Sequence, residues 1–304
     1  MRFEAPHPIP YQGSKRQLAA AILSFVPSGK YERLIEPFAG SAAITLAAAQ
    51  KRIFSRYTIG DVLPPLAAIW QAILHSPQKL VEEYRGLWNS QLSNPRQRFN
   101  DIREQFNRDH NPAKLLFLLA RCVKNSVRFS RNGDFNQSAD MRRLGVRPGT
   151  LKKEILAAHN LLSGRCQVLC GDFRQTLLKA GPRDIVYMDP PYEGVSRGRD
   201  SRYVAGVPRD LLVGALDELN HRGVQFLLSY DGTCGEKKYG EPLPASLGLR
   251  RVLLDAGRSS QATLSGRKWK TTESLYLSPG LSESDGLPEL VRRGVPAGQA
   301  SLFR

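Results

Sequence analysis

Asp184-Ile185-Val186-Tyr187-Met188-Asp189-Pro190-Pro191-Tyr192 is the stretch on which the fold turns. Its first five residues read as a short apolar strand, and the chain stops abruptly at an acid. Two prolines then fix the backbone and remove two N–H donors. An aromatic ring closes the set. In open α/β sheets, ligands bind beyond the carboxyl ends of the strands. An acid at such an end therefore faces a crevice. A Pro-Pro turn that merely caps a strand is the plainer alternative, but it does not call for the acid and the ring.

Working outward, other strands end in the same manner. Arg33-Leu34-Ile35-Glu36 is followed by the turn Pro37-Phe38-Ala39-Gly40-Ser41 and an Ala-rich helix over 42–49. Arg56-Tyr57-Thr58-Ile59 ends at Gly60-Asp61, Gln167-Val168-Leu169-Cys170 at Gly171-Asp172-Phe173, and Val224-Gln225-Phe226-Leu227-Leu228 at Ser229-Tyr230-Asp231. A helix is expected over 211–219, and strands near 250–254 and 273–277 should form an antiparallel pair. This alternation predicts an α/β fold with a parallel sheet. Between its halves, residues 66–110 and 114–123 carry helical periodicity. A basic loop containing Asn132-Gly133-Asp134, a hairpin signal, follows. The expected division is a catalytic domain of residues 1–65 and 151–280, an inserted helical domain of residues 66–150, and a mobile tail of residues 281–304.

The strand ends suggest their chemistry. The small turn at Pro37, Phe38 and Gly40 leads into a helix whose backbone N–H groups can meet an anionic ligand end. It has one glycine and suits a carboxylate tail better than a pyrophosphate; a simple tight turn is the alternative. Asp61 sits where such folds accept hydrogen bonds from ribose hydroxyls, although solvated turn acids are common. Asp189 and the Pro190 carbonyl offer two acceptors, and Tyr192 a flat surface. An exocyclic amine needs that combination. Held so, its lone pair turns toward an electrophilic methyl group, and positioning of this kind can supply much of a barrier.

Charge adds a partner. The 304 residues include 44 Lys+Arg against 28 Asp+Glu, a formal net charge of +16. Such an excess is the footprint of a polyanion, nucleic acid above all. Arg128, Arg131, Arg142, Arg143 and Arg147 cluster in the loop and suit phosphates and guanine edges. A second basic loop, with Arg258 and Lys268, is expected to touch phosphates. Solvated basic loops are the alternative. Cys122, Cys166, Cys170 and Cys234 show no disulfide framework, and no His or Cys spacing fits a metal site. Gly13-Ser14-Lys15 lacks the glycine spacing of a P-loop. No run has the length of a membrane span or signal peptide, so a cytoplasmic place is expected.

Asp189-Pro190-Pro191-Tyr192 resembles the DPPY motif of amino-methyltransferases, and the motif order resembles the Dam-like, alpha-group adenine-N6 DNA methyltransferases. Pro10-Tyr11-Gln12-Gly13-Ser14-Lys15-Arg16 is similar to that family's N-terminal element, with Ser14 for its second glycine. Glu36-Pro37-Phe38-Ala39-Gly40-Ser41 is similar to its FxGxG element, again lacking one glycine. Arg103-Glu104-Gln105-Phe106-Asn107 resembles RxxFN, and residues 128–136 resemble R-x-N-x-x-G-x-F-N with Ser130 for the Asn. The resemblance implies a Rossmann-like methyltransferase sheet, S-adenosylmethionine as cofactor, and residues 66–150 as a target-recognition insertion. Cofactor contacts would be Tyr11, Lys15, Pro37, Phe38, Gly40, Asp61, Asp172, Phe173 and Asp189. The DNA adenine would flip out of the duplex, bind residues 189–192, stack on Tyr192, and receive the methyl in line. An RNA amine methyltransferase and a silent DNA-binding protein on this scaffold remain alternatives. A restriction–modification setting also fits. Gln299-Ala300-Ser301-Leu302-Phe303 resembles a sliding-clamp docking peptide.

Overall fold

The protein is described from a computed structural model, which covers residues 5–130, 132–191, 206–234, 237–258, 270–282 and 290–292. Tyr192, Arg131, Lys268 and the clamp-like peptide at 299–303 lie outside the described residues.

The strands are β1 (Arg33–Glu36), β2 (Arg56–Asp61), β3 (Cys166–Cys170), β4 (Asp184–Met188), β5 (Gln225–Cys234), β6 (Lys237–Tyr239), β7 (Arg250–Arg258), β8 (Lys270–Leu277) and β9 (Leu290–Arg292). They form one sheet in the order β3-β2-β1-β4-β5-β8-β7-β9, with β6 paired to β5. Strands β3, β2, β1, β4 and β5 are parallel, while β8 runs antiparallel to both β5 and β7. This is a Rossmann-like α/β sheet. Strand order reverses between β1 and β4, and the crevice at such a switch point is where ligands bind.

The central strands show why the sheet sits in the middle. Every residue of β4 is buried, as parallel strands covered on both faces require. Their side chains alternate between two cores. Leu34, Ile185, Tyr187 and Leu227 join the larger cluster on one face. Ile35, Val186, Met188, Phe226 and Leu228 join the smaller cluster on the other. The smaller core is covered by α8 (Phe173–Leu177) and α9 (Arg209–His221).

Helices α1 (Ala19–Leu23) and α2 (Ala43–Gln50) cover the larger core together with the long β2–β3 connection. That connection supplies α3 (Pro64–His75), α4 (Pro77–Ser90), α5 (Pro95–Asp109), α6 (Pro112–Arg121) and α7 (Pro148–Leu162). All five begin with proline, whose missing N–H costs nothing in a first turn. Asn94 and Asn111 cap two of them through their side chains. Eight of the ten residues of α6 are buried, which marks it as the centre of this layer. Residues 66–150 therefore share one continuous apolar core with the sheet.

The loop after α6 is built as a tethered hairpin. Phe129 and Phe135 bridge, Gly133 takes φ of 85°, and Ser130 N donates to Asp134 O at 2.7 Å. Asn107 of α5 acts as a third strand for it. Its Oδ1 accepts from Phe135 N at 2.8 Å and its Nδ2 donates to Phe135 O at 3.3 Å. Beneath, Phe135 packs edge to face on both Phe106 and Phe129, which meet each other at a tilt.

No helix among the described residues is long and apolar enough to cross a membrane.

Candidate active site

The turn after β1 is fixed from three sides. Glu36 is buried, and its Oε2 accepts from Thr45 N at 2.9 Å and Thr45 Oγ1 at 2.6 Å, tying the strand end to α2. Asp61, at the end of β2, accepts from Gly40 N at 3.0 Å and Leu63 N at 2.9 Å. Trp70 Nε1 donates to Gly40 O at 3.0 Å. Gly40 has φ of 49°, and a Cβ there would lie 3.1 Å from Tyr11 Cε1. Glycine relieves both the positive φ and the crowding by which the Tyr11 ring rests on this turn. Ala42 takes φ of 46° without being glycine, a strain held by the same contacts.

The N-terminal segment lies over the turn. Ser41 Oγ donates to Ser14 Oγ at 2.8 Å, and Gln12 N donates to Asn125 O at 3.0 Å, joining the segment to the loop after α6. Beside the turn, Phe38 and Phe173 stack with ring centroids 5.1 Å apart. Asp172 caps α8 by accepting from Arg174 N at 2.9 Å, and both its oxygens also face the Arg174 guanidinium. That ion pair holds the Asp172 carboxyl below its usual range.

Asp189 follows β4 directly. The Lys15 ammonium lies 3.0 Å from Asp189 Oδ1 and 3.3 Å from Glu273 Oε2 of β8. Burial pushes the Asp189 carboxyl up to about 6, against the pull of Lys15 and with the push of Glu273. Burial likewise raises Asp61 to about 6, and Glu36 to about 7 despite its bonds to Thr45.

These residues surround one cavity of about 670 Å³, lined by residues of the N-terminal segment, the strand ends and the loop after α6. That volume lies within the roughly 300–1,000 Å³ usual for ligand pockets. Tyr11, Lys15, Pro37, Phe38, Gly40, Asp61, Asp172, Phe173, Asp189, Pro190 and Pro191 all line it, so the structure brings the sequence-derived candidates together. Glu36, Glu273 and the wall formed by Ser126, Val127 and Phe129 line it too, and sequence reasoning did not single them out. Glu36 stood beside the quoted turn and could have been noticed. Glu273 carried no local signal.

Among the described residues, none of the candidate arginines lines the cavity. Arg128 is half-buried. Arg142 grips Asp140 with Nε at 2.9 Å and Nη2 at 3.0 Å. Arg143 reaches the same carboxylate at 3.3 Å and donates to Cys122 O at 2.9 Å. Arg147 is exposed immediately before α7. Arg258 ends β7.

The donors suit a nucleoside sulfonium. Phe38 and Phe173, stacked on each other, offer an apolar face beside Asp172, and Glu36, Asp61, Asp189 and Glu273 surround the cavity with carboxylates against the single ammonium of Lys15 among its lining residues. A cationic ligand is favoured there by the surrounding carboxylates.

Residues 11–251 match the family described as D12 class N6 adenine-specific DNA methyltransferase. Among curated proteins, the chain is 26% identical over 236 residues to a DNA N-6-adenine-methyltransferase of Escherichia phage P1, covering 73% of this chain and 29% of that protein. It is 25% identical to the type II methyltransferase M.MjaIII of Methanocaldococcus jannaschii, covering 62% of this chain and 69% of that protein. A DNA adenine methylase of Serratia marcescens is 27% identical, with 61% and 66% covered. The chain thus spans less than a third of the phage relative and about two thirds of the other two.

Proposed function

Because the chain belongs to the D12 class of N6 adenine-specific DNA methyltransferases, we propose that it methylates the N6 amine of adenine in duplex DNA with S-adenosylmethionine as donor. One observation carries this reading: Asp189, Pro190 and Pro191 open into the same cavity as the stacked Phe38–Phe173 pair and the Gly40 turn. A base amine and a nucleoside donor can then meet in one chamber.

S-adenosylmethionine, when bound, supplies a sulfonium methyl whose carbon bonds the amine nitrogen as the carbon–sulfur pair returns to sulfur. The chain's own residues do the rest. Phe38 and Phe173 hold the donor's adenine, with Asp172 beside them, and the Gly40 turn and Tyr11 hold its amino-acid end. Asp61 meets the ribose while fixing Gly40. The Asp189 carboxylate and the Pro190 carbonyl accept the two hydrogens of the target amine and set its lone pair toward the methyl. Flipping the adenine costs a few kcal/mol, and Tyr192 stacks on it. The helices and loop of residues 66–150 read the DNA, with Arg128, Arg131, Arg142, Arg143, Arg147, Arg258 and Lys268 on its phosphates and base edges.

Labelled donor, duplex DNA and RNA test the reading. Duplex DNA becomes labelled at adenine N6, and Asp189→Ala lowers transfer by about 10²-fold or more while DNA binding persists. Label on RNA alone, or full activity in Asp189→Ala, refutes it.

A further inference from the structure

Three charged side chains meet at the end of β4, and one arrives from an antiparallel strand. Lys15 lies within ion-pair distance of both Asp189 and Glu273, at 3.0 and 3.3 Å. The side chains are mostly withdrawn from water, with exposures of 11% for Lys15, 22% for Asp189 and 21% for Glu273. Among the described residues, one cation shared by two carboxylates leaves a surplus negative charge. Glu36 from β1 and Tyr187 from β4 also face Asp189, and neither brings a positive charge.

The approach of Glu273 is built into the sheet. Because β8 is antiparallel, its early residues lie beside the carboxyl ends of β4 and β5. Glu273 pairs with Gly232 across a bulge that begins after Ser229. A Cβ on Gly232 would lie 2.6 Å from Thr272 O, so only glycine lets β5 run this close to β8. The bulge re-aims the strand, as bulges beside active sites do.

We propose that Glu273 is a positioning residue for methyl transfer: it draws the Lys15 ammonium partly off Asp189, leaving Asp189 Oδ1 able to accept from the target amine. The inference rests on the amine-transfer reading above. With Glu273 neutral, the whole Lys15 charge falls on Asp189 and competes with the amine for the same oxygen. The surplus charge also matters as the reaction proceeds. The amine nitrogen turns cationic when it bonds the methyl carbon and the sulfonium becomes a neutral thioether. One amine proton then passes to the Asp189 carboxylate and on to water. Two carboxylates against one ammonium favour that developing charge.

The test compares wild type, Glu273→Gln and Glu273→Asp, with melting curves to confirm folding. Asp189 is titrated directly by carboxyl-carbon NMR, alongside the pH profile of kcat and calorimetric cofactor binding. In Glu273→Gln the Asp189 midpoint falls by about one pH unit, since a neighbouring like charge has gone. The acid limb of kcat moves the same way, kcat drops at least about tenfold, and cofactor affinity stays within about twofold. Glu273→Asp recovers the midpoint and the limb. Coincident Asp189 titrations and limbs in wild type and Glu273→Gln overturn the proposal. A wild-type protein that labels no adenine overturns the methyltransferase reading instead, and the titration still decides whether Glu273 sets the charge at Asp189.

Discussion

Glu36 carries a carboxyl raised from 4.5 to about 7 by burial, despite hydrogen bonds from Thr45 and the Ile44 backbone. A group whose folded value lies above its unfolded one stabilises the fold at low pH. That contribution is complete below about pH 4.5 and disappears as pH rises through about 7. Asp61 and Asp189, both raised to about 6, act in the same direction. Asp140 and Asp172 are held low by arginine partners and act oppositely, but at more acid pH. The Glu36 charge should cost about 3 kcal/mol at pH 8. Glu36→Gln keeps an acceptor for Thr45 and cannot ionise. Its melting temperature should therefore fall less than that of wild type between pH 5 and pH 8, by several degrees, in calorimetric scans. Parallel curves for the two proteins would show that the Glu36 charge is not confined as the structure has it. The cost is tolerable because the same carboxylate fixes the turn that lines the cavity.

Elements decide which motifs are chemistry and which are carpentry. RxxFN and the later R-x-N-x-x-G-x-F-N-like run resembled two family signatures, but nothing local said that they bind each other. In the fold, Asn107 closes the hairpin through Phe135, and Arg103 Nη1 donates to Gln137 O at 3.4 Å. The next segment is strapped down as well. Arg121, buried at the end of α6, donates to the carbonyls of Asp140, Arg143 and Pro95. Tyr84 OH and Gln91 Nε2 hold Val146 O and Leu144 O at 2.7 and 3.0 Å. Asn107→Ala leaves the Phe135 N–H without its partner and should cost about 1–3 kcal/mol. The hairpin also supplies Phe129 to the cavity wall. DNA affinity should therefore weaken several-fold while donor affinity holds, read by titrating each ligand separately; equal loss of both would place the hairpin's role with the donor.

The same contrast explains what could be read in the chain beforehand. The acid-proline-proline corner is local and needs only the strand before it, so it was legible. Helical periodicity over 66–110 and 114–123 was legible too, although not its division into the separate helices α3 to α6. Glu273 was not legible, because its place depends on the β5–β8 register, the bulge after Ser229 and the clearance at Gly232. Asp231 is part of that hidden arrangement: it takes φ of 55° and accepts from Ser274, Tyr276 and Arg251. Residues distant in sequence fix the bend, and no spacing rule connects them.

At the scale of the whole molecule, the cavity and the surface carry opposite charge. Carboxylates crowd the strand ends, while the chain as a whole is +16. The inner sign suits a cationic donor, and the outer one a polyanion. If the arginines after the hairpin neutralise phosphates, affinity for duplex DNA must fall steeply with salt. Each phosphate contact contributes about 0.9 to the slope of log K against log salt. The structure separates two of the candidates. Arg147 is exposed, and Arg147→Ala should lower the slope by about one. Arg142 already shares its charge with Asp140 through a two-bonded fork. Binding DNA would require it to give up part of that pairing, so Arg142→Ala should change the slope by less. Fluorescence titrations of one duplex at several salt concentrations measure both. Unchanged slopes in both variants would move the DNA track away from this strap, whereas a larger effect at Arg142 would mean that the duplex displaces Asp140 and frees the whole guanidinium.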